Sequence, residues 1–119
     1  MKRIVVCGSR EFDDYDVAKV FIKRCLDEEK IDSETIIVSG GSRGADLLGE
    51  RYARENEFEI ERYPAEWKSY GKKAGPIRNR KMAEVCDVAI CFWDGKSKGT
   101  KSMISCAEKL KKTVYVKMI

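Results

Sequence analysis

No histidine occurs anywhere in the chain, and that gap removes whole classes of chemistry. Neither a Ser-His nor a Cys-His nucleophile pair can be assembled, and common zinc sites lose their imidazole ligands. Cysteine occurs five times, at Cys7, Cys25, Cys86, Cys91 and Cys106, but no two form a CxxC pair and the count is odd. Thiols scattered over apolar stretches read as small buried hydrophobes in a reducing compartment, and no metal site is expected. Long apolar runs are missing too. None approaches the roughly 18 residues that a membrane helix needs, so no membrane partner is expected. The basic start, Met1-Lys2-Arg3, leads into a short apolar stretch and then a glycine turn, where a signal peptide would need its cleavage site. That stretch is expected to be a buried first strand in a cytoplasmic protein.

What is present suits one folded unit. The 119 residues are 43% hydrophobic and 37% charged, a balance that belongs to a globular domain and not to a disordered tail. A single domain over residues 1–119 is expected. The net charge is +4, but it is unevenly spread. Residues 1–67 carry 11 basic and 16 acidic side chains, whereas residues 68–101 carry 9 basic and 3 acidic ones. A local cationic excess beside glycine-rich loops suits an anionic ligand, and equally a solvated lysine face.

Apolar runs alternate with helical patterns at a steady pace. Residues 3–7 read as a strand, and Asp13 or Asp14 can cap the helix that follows, with Val17, Val20, Phe21 and Cys25 at helical spacing. A strand over 35–39 precedes a helix through Leu47, Leu48, Tyr52 and Ala53. Residues 58–63 alternate apolar and charged, as an edge strand does. An irregular segment over about 64–75 leads to a helix with Pro76 in its first turn, running to Val85 or Cys86. A strand over 87–93, a polar turn over 94–99, a helix over 100–111 with Met103, Ile104, Ala107 and Leu110 inward, and a strand over 113–117 complete the chain. The fold class is therefore α/β: a single Rossmann-like domain of about five mostly parallel strands with helices on both faces. Ligands of such sheets bind beyond the carboxyl ends of the strands, where strand order reverses.

Three glycine-bearing loops follow strands directly and should open on that one edge. Gly8-Ser9-Arg10 offers close backbone approach, a hydroxyl and a planar guanidinium. Ser39-Gly40-Gly41-Ser42-Arg43-Gly44-Ala45-Asp46 is a strand–loop–helix junction, where free amides and the positive helix end attract an anion. It is neither a GxGxxG dinucleotide motif nor a P-loop. Gly44 beside the helix start also serves close packing, and Asp46 can cap the helix, hold a ribose hydroxyl or orient a water. Asp94-Gly95-Lys96-Ser97-Lys98-Gly99-Thr100 repeats the design, with Ser97 and Thr100 as phosphate donors or Thr100 as a plain cap. Trp93 can stack on a base or belong to the core. In Arg78-Asn79-Arg80-Lys81, Arg78 and Lys81 share a helix face, while Asn79 and Arg80 point elsewhere; one such pair would clamp an anion.

These segments, with Tyr63-Pro64-Ala65-Glu66-Trp67, resemble the YspA/YpsA-type branch of the SLOG superfamily, the Rossmann-like group that also contains DprA and the LOG proteins. The resemblance spans nearly the whole chain, in order. It implies binding of a phosphate-bearing nucleotide or a nucleotide-derived ligand of the ADP-ribose or NAD type, often as a sensor, with no further cofactor. DprA-like proteins bind single-stranded DNA, and Arg78-Asn79-Arg80 with Ala83, together with the loop from Ser39 to Asp46, is similar to stretches in them. LOG proteins cleave the N-glycosidic bond of nucleoside monophosphates with an arginine and a glutamate placed after a Gly-Thr loop. Here Gly99-Thr100 is followed by Lys101-Ser102-Met103-Ile104, without the glutamate. Three functions are thus set against one another. The leading one is a ligand-binding module using Gly8, Ser9, Arg10, Gly40, Gly41, Arg43, Gly44, Asp46, Arg78, Asn79, Asp94, Gly95, Ser97, Gly99 and Thr100. The second is a nucleotide N-glycosidic or phosphate hydrolase with Asp46, Asp94 or Glu66 as acid or base. The third is single-stranded nucleic-acid binding through the basic stretch and Trp67, Tyr70 and Trp93. A homo-oligomer is compatible with all three.

Overall fold

Three short runs rich in Ile and Val, over residues 4–7, 35–39 and 88–92, form the centre of the molecule because each is buried throughout. The structure, a computed structural model, describes residues 1–31 and 34–119. In chain order the strands are β1 (Lys2–Gly8), β2 (Thr35–Ser39), β3 (Glu59–Arg62), β4 (Val88–Trp93) and β5 (Thr113–Met118). They form one sheet in the order β3-β2-β1-β4-β5, and all four pairings are parallel. The connecting helices are α1 (Tyr15–Glu28), α2 (Ala45–Glu55), a single turn α3 (Trp67–Tyr70) and α4 (Ala74–Val85), with a 3₁₀ turn Gly71–Lys73 between the last two, and α5 (Lys98–Lys109).

The two faces of the sheet take alternate residues of each strand, as a pleated strand requires. Ile4, Val6, Ile37, Ile90 and Phe92 pack under α1 and α2 through Ala18, Ile22, Cys25, Tyr52 and Ala53. Val5, Cys7, Ile36, Val38, Ala89 and Cys91 pack under α4 and α5 through Met82, Ala83, Met103 and Ala107. Cys7, Cys25, Cys86 and Cys91 are buried free thiols and Cys106 is half-buried. The chain is thus a single α/β domain with an all-parallel five-stranded sheet and helices on both faces. Among the described residues no helix is long and apolar enough to cross a membrane.

Several local expectations are corrected. Of the two cap candidates for α1, Asp14 is the one used, its carboxylate accepting from the Val17 amide at 3.2 Å. The buried face of α1 is Tyr15, Ala18, Ile22, Cys25 and Leu26, so Val20 points outward at 70% exposure. Leu47 and Leu110 are likewise exposed. Helical spacing alone leaves the phase of the apolar stripe open, and contact with the sheet sets it. The irregular stretch 64–75 contains α3 and the 3₁₀ turn. Finally, α5 starts at Lys98 with Ser97 as its cap: the Ser97 hydroxyl accepts from the Thr100 amide at 3.4 Å and lies 3.0 Å from the Thr100 hydroxyl, so Thr100 is not the cap.

Candidate functional site

Strand order reverses between β1 and β4, where β1 continues on one side to β2 and β3 and β4 on the other to β5. At the carboxyl ends of these two neighbours, beside Cys7↔Cys91 and Gly8↔Phe92, the loops part and leave a cleft of about 320 Å³. Gly8, Ser9, Arg10 and Glu11 form one wall, and Ser42 and Asp46 come from the loop and helix after β2. Arg78 and Asn79 enter from α4, and Ser97, Gly99 and Thr100 from the start of α5. Cys7, Met82 and Met103 make the floor. The loops after β1, β2 and β4 therefore do meet at one rim.

Two glycines make this convergence sterically feasible. A side chain at Gly44, which has φ +83, would run into the Ser9 carbonyl and the Arg10 backbone. With hydrogen there, the Ala45 amide reaches the Ser9 carbonyl at 3.2 Å and ties the first loop to the start of α2. At Gly40 a Cβ would collide with the Arg78 guanidinium and the Asp46 carboxylate. Gly40 and Gly44 thus shape the cleft from behind.

Arg78 is held as a fixed cation. Its Nη1 donates to the carbonyls of Gly40 at 3.0 Å and Tyr63 at 3.4 Å, and its Nε donates to Asn79 Oδ1 at 3.0 Å. Asn79, 6% exposed, passes the restraint on by donating from Nδ2 to the Gly99 carbonyl at 3.2 Å. No carboxylate among the described residues lies within 4.0 Å of Arg10 or Arg78. Opposite them, α5 begins. Among the described residues the amides of Lys98 and Gly99 have no acceptor, so the positive end of a 12-residue helix faces the cleft. The start of α2 differs, because Asp46 in its first turn already brings a carboxylate there.

Asp46 is 5% exposed, and its Oδ2 accepts from the Ser42 amide at 3.2 Å. Burial pushes its carboxyl up to about 6; the Ser42 amide, Arg78 and Arg10 oppose that rise, and Glu50 adds to it. Glu50 itself is 1% exposed and takes Arg62 Nε at 2.9 Å, Arg62 Nη2 at 2.5 Å and the Ser39 hydroxyl at 2.7 Å. Burial alone would raise the Glu50 carboxyl, but the Arg62 and Ser39 hydrogen bonds outweigh it and hold it below its ordinary value. Ser39 Oγ in turn accepts from the Gly41 amide at 3.0 Å, so a buried carboxylate fixes the glycine loop.

Other expected residues lie elsewhere. Gly41 is not in the cleft wall, and Arg43 is exposed and paired with Glu11 at 2.7 Å. Asp94 turns into its own loop, accepting from the Lys96 and Ser97 amides at 2.8 Å, which hold it below its ordinary value. Gly95 sits with it outside the cleft. Trp93 is half-buried and its indole donates to the Ser97 carbonyl at 3.1 Å, away from the cleft lining. Glu66 lines a second, smaller cleft of about 90 Å³, with Lys81 and Arg78. In the main cleft Arg78 is accompanied by Asn79 and not by Lys81; Arg80 is exposed and paired with Glu84 at 3.0 Å. Cys7, Glu11, Ser42, Met82 and Met103 join the lining without having been expected there.

Comparison with known proteins places this geometry. The structure is similar to DNA processing protein A (DprA) from Streptococcus pneumoniae, with a TM-score of 0.71 at 21% identity over 97% of this chain and 49% of that one. It is also similar to DNA processing protein A from Helicobacter pylori, whose structure is described for its single-stranded DNA binding mode, with a TM-score of 0.65 at 21% identity over 97% of this chain and 64% of that one. The chain thus spans about half to just under two thirds of these structures, and the likeness is one of fold. In sequence it is 34% identical over 117 residues to the Gene 61 protein of Mycobacterium phage D29, covering 92% of this chain and 90% of the relative. The model of the YspA, cpYpsA-related SLOG family matches residues 2–70, more than half of the chain, and the chain belongs to that family.

Proposed function

We propose that the main cleft binds a phosphate-bearing nucleotide or nucleotide-derived ligand, with the phosphate against the start of α5 and the Arg10 and Arg78 guanidinium groups. The observation that carries this reading is the meeting, in one recess, of Arg10 and Arg78 with the start of α5 at Ser97, Gly99 and Thr100. Among the described residues neither arginine has a salt-bridge partner, and the Gly99 amide has no acceptor. Charge-assisted contacts contribute roughly 1.5–3 kcal/mol each, so three supply most of the ~8 kcal/mol that micromolar affinity requires. Asp46 keeps its second carboxylate oxygen for a ribose hydroxyl. Calorimetry against ADP-ribose, NAD, AMP and cyclic nucleotides tests the reading. Micromolar binding of at least one, weakened at least about tenfold by Arg78→Ala, is expected; no heat with any of them overturns it.

A second reading, single-stranded nucleic-acid binding, is favoured by a separate surface. Trp67 and Tyr70 on α3 are 55% and 45% exposed. Exposed Lys68, Lys72 and Lys73 adjoin them in sequence, and Lys81 lines the same small cleft as Tyr70. Base stacking beside a basic ridge suits a single strand, and the family's fold neighbours include a protein described for that activity. An oligonucleotide whose affinity falls steeply with salt and with Trp67→Ala would support it; affinity unmoved by either would not.

A further inference from the structure

We propose that the smaller cleft holds the base of the ligand, so that a nucleoside phosphate lies astride Arg78 with its phosphate in the main cleft. This rests on the phosphate-cleft reading and adds the place and chemistry of the ligand's other end. The main cleft is rich in donors but contains no aromatic ring: its apolar floor is two methionines and a cysteine. A planar heterocycle gains most from a ring face or flat apolar surface, and nothing in the main cleft supplies one. Trp93, the ring adjacent in sequence to the α5 loop, is tied to the Ser97 carbonyl outside it.

Those surfaces lie on the far side of Arg78. The smaller cleft is lined by Tyr63, Pro64, Tyr70 and Ile77, and Arg78 belongs to the walls of both clefts. Neither tyrosine stacks on another ring among the described residues. Because Arg78 lines both clefts and its Nη1 is anchored to the Gly40 and Tyr63 carbonyls, it stands as a fixed wall shared by the two spaces. Glu66, at the same cleft, has no hydrogen bond or ion pair from its carboxylate among the described residues and is available to accept from an exocyclic amino group. The two halves of a nucleoside phosphate are thereby matched separately: charge and amides on one side of Arg78, rings and an acceptor on the other.

The test is calorimetry on the full chain with AMP and with ribose 5-phosphate, which lacks the base, repeated with Tyr70→Ala and Ile77→Trp. Tyr70 is 45% exposed, so its truncation spares the core if the bulkier Trp variant fails to fold. Ring stacking predicts AMP binding roughly 5- to 150-fold tighter than ribose 5-phosphate, with the difference lost in Tyr70→Ala. Equal affinities for the two probes overturn the base subsite and leave the phosphate reading standing. A preference for AMP that survives both variants also overturns it, by putting the base elsewhere. Binding of neither probe overturns the base subsite, and the phosphate reading falls with it only if ADP-ribose, NAD and the cyclic nucleotides give no heat either.

Discussion

Replacing Asp46 by asparagine isolates the electrostatic cost of the cleft. Its carboxyl is almost fully enclosed, and burial raises its pKa from 3.8 to about 6. The unfolded chain has no such burial, so the folded state binds this proton more tightly than the unfolded one. The favourable contribution is therefore complete below pH ~4 and is lost as pH climbs through about 6. At about 1.4 kcal/mol for each tenfold change in proton affinity, the rise from 3.8 to about 6 amounts to ~3 kcal/mol. Asparagine keeps the oxygen that accepts from Ser42 but cannot ionise. Urea denaturation of both proteins at pH 4, 5, 6 and 7 measures the difference. Between pH 4 and pH 7 the wild type should lose on the order of 3 kcal/mol relative to Asp46→Asn. A difference that stays constant across that range would refute the assignment of a strained, buried carboxylate to the cleft wall.

Other perturbations have equally definite outcomes. Glu50→Ala strands the Ser39 hydroxyl and the Arg62 guanidinium and should cost about 3 kcal/mol in denaturant unfolding, the low end for a buried pair because Arg62 itself is largely exposed. A loss below about 1 kcal/mol, the range of a surface pair, would show that the network does not hold the loop. Gly44→Ala forces a methyl group at φ +83 against the Ser9 carbonyl and should cost about 1–3 kcal/mol by thermal unfolding. An unchanged melting temperature would contradict the close packing of the two loops.

Much of the fold was readable because its signals are local. The strand over 35–39 opens with four β-branched residues in succession, Thr35 to Val38, and all five of its residues are buried. By contrast, the inner face of α1 is not readable from spacing, since Val17, Val20 and Phe21 are as regular as Ala18, Ile22 and Cys25; only the sheet decides between them. A four-residue helix such as α3 has too little length for any period. At the site, the convergence of three loops follows from topology once the sheet is parallel. The floor did not follow, because Cys7, Met82 and Met103 look like ordinary core residues. Glu50 looked like one more charged residue of a surface helix. Its signal was its place four residues after Asp46 and three before Ala53, on the buried face of α2.

Backbone amide shifts of the ¹⁵N-labelled protein during titration with AMP test the central claim most directly. Saturable shifts largest at Ser9, Lys98, Gly99 and Thr100 are expected, because those amides border the place assigned to the phosphate. Shifts absent there, or confined to residues 67–73 on the basic ridge, would contradict a nucleotide cleft at the β1–β4 edge.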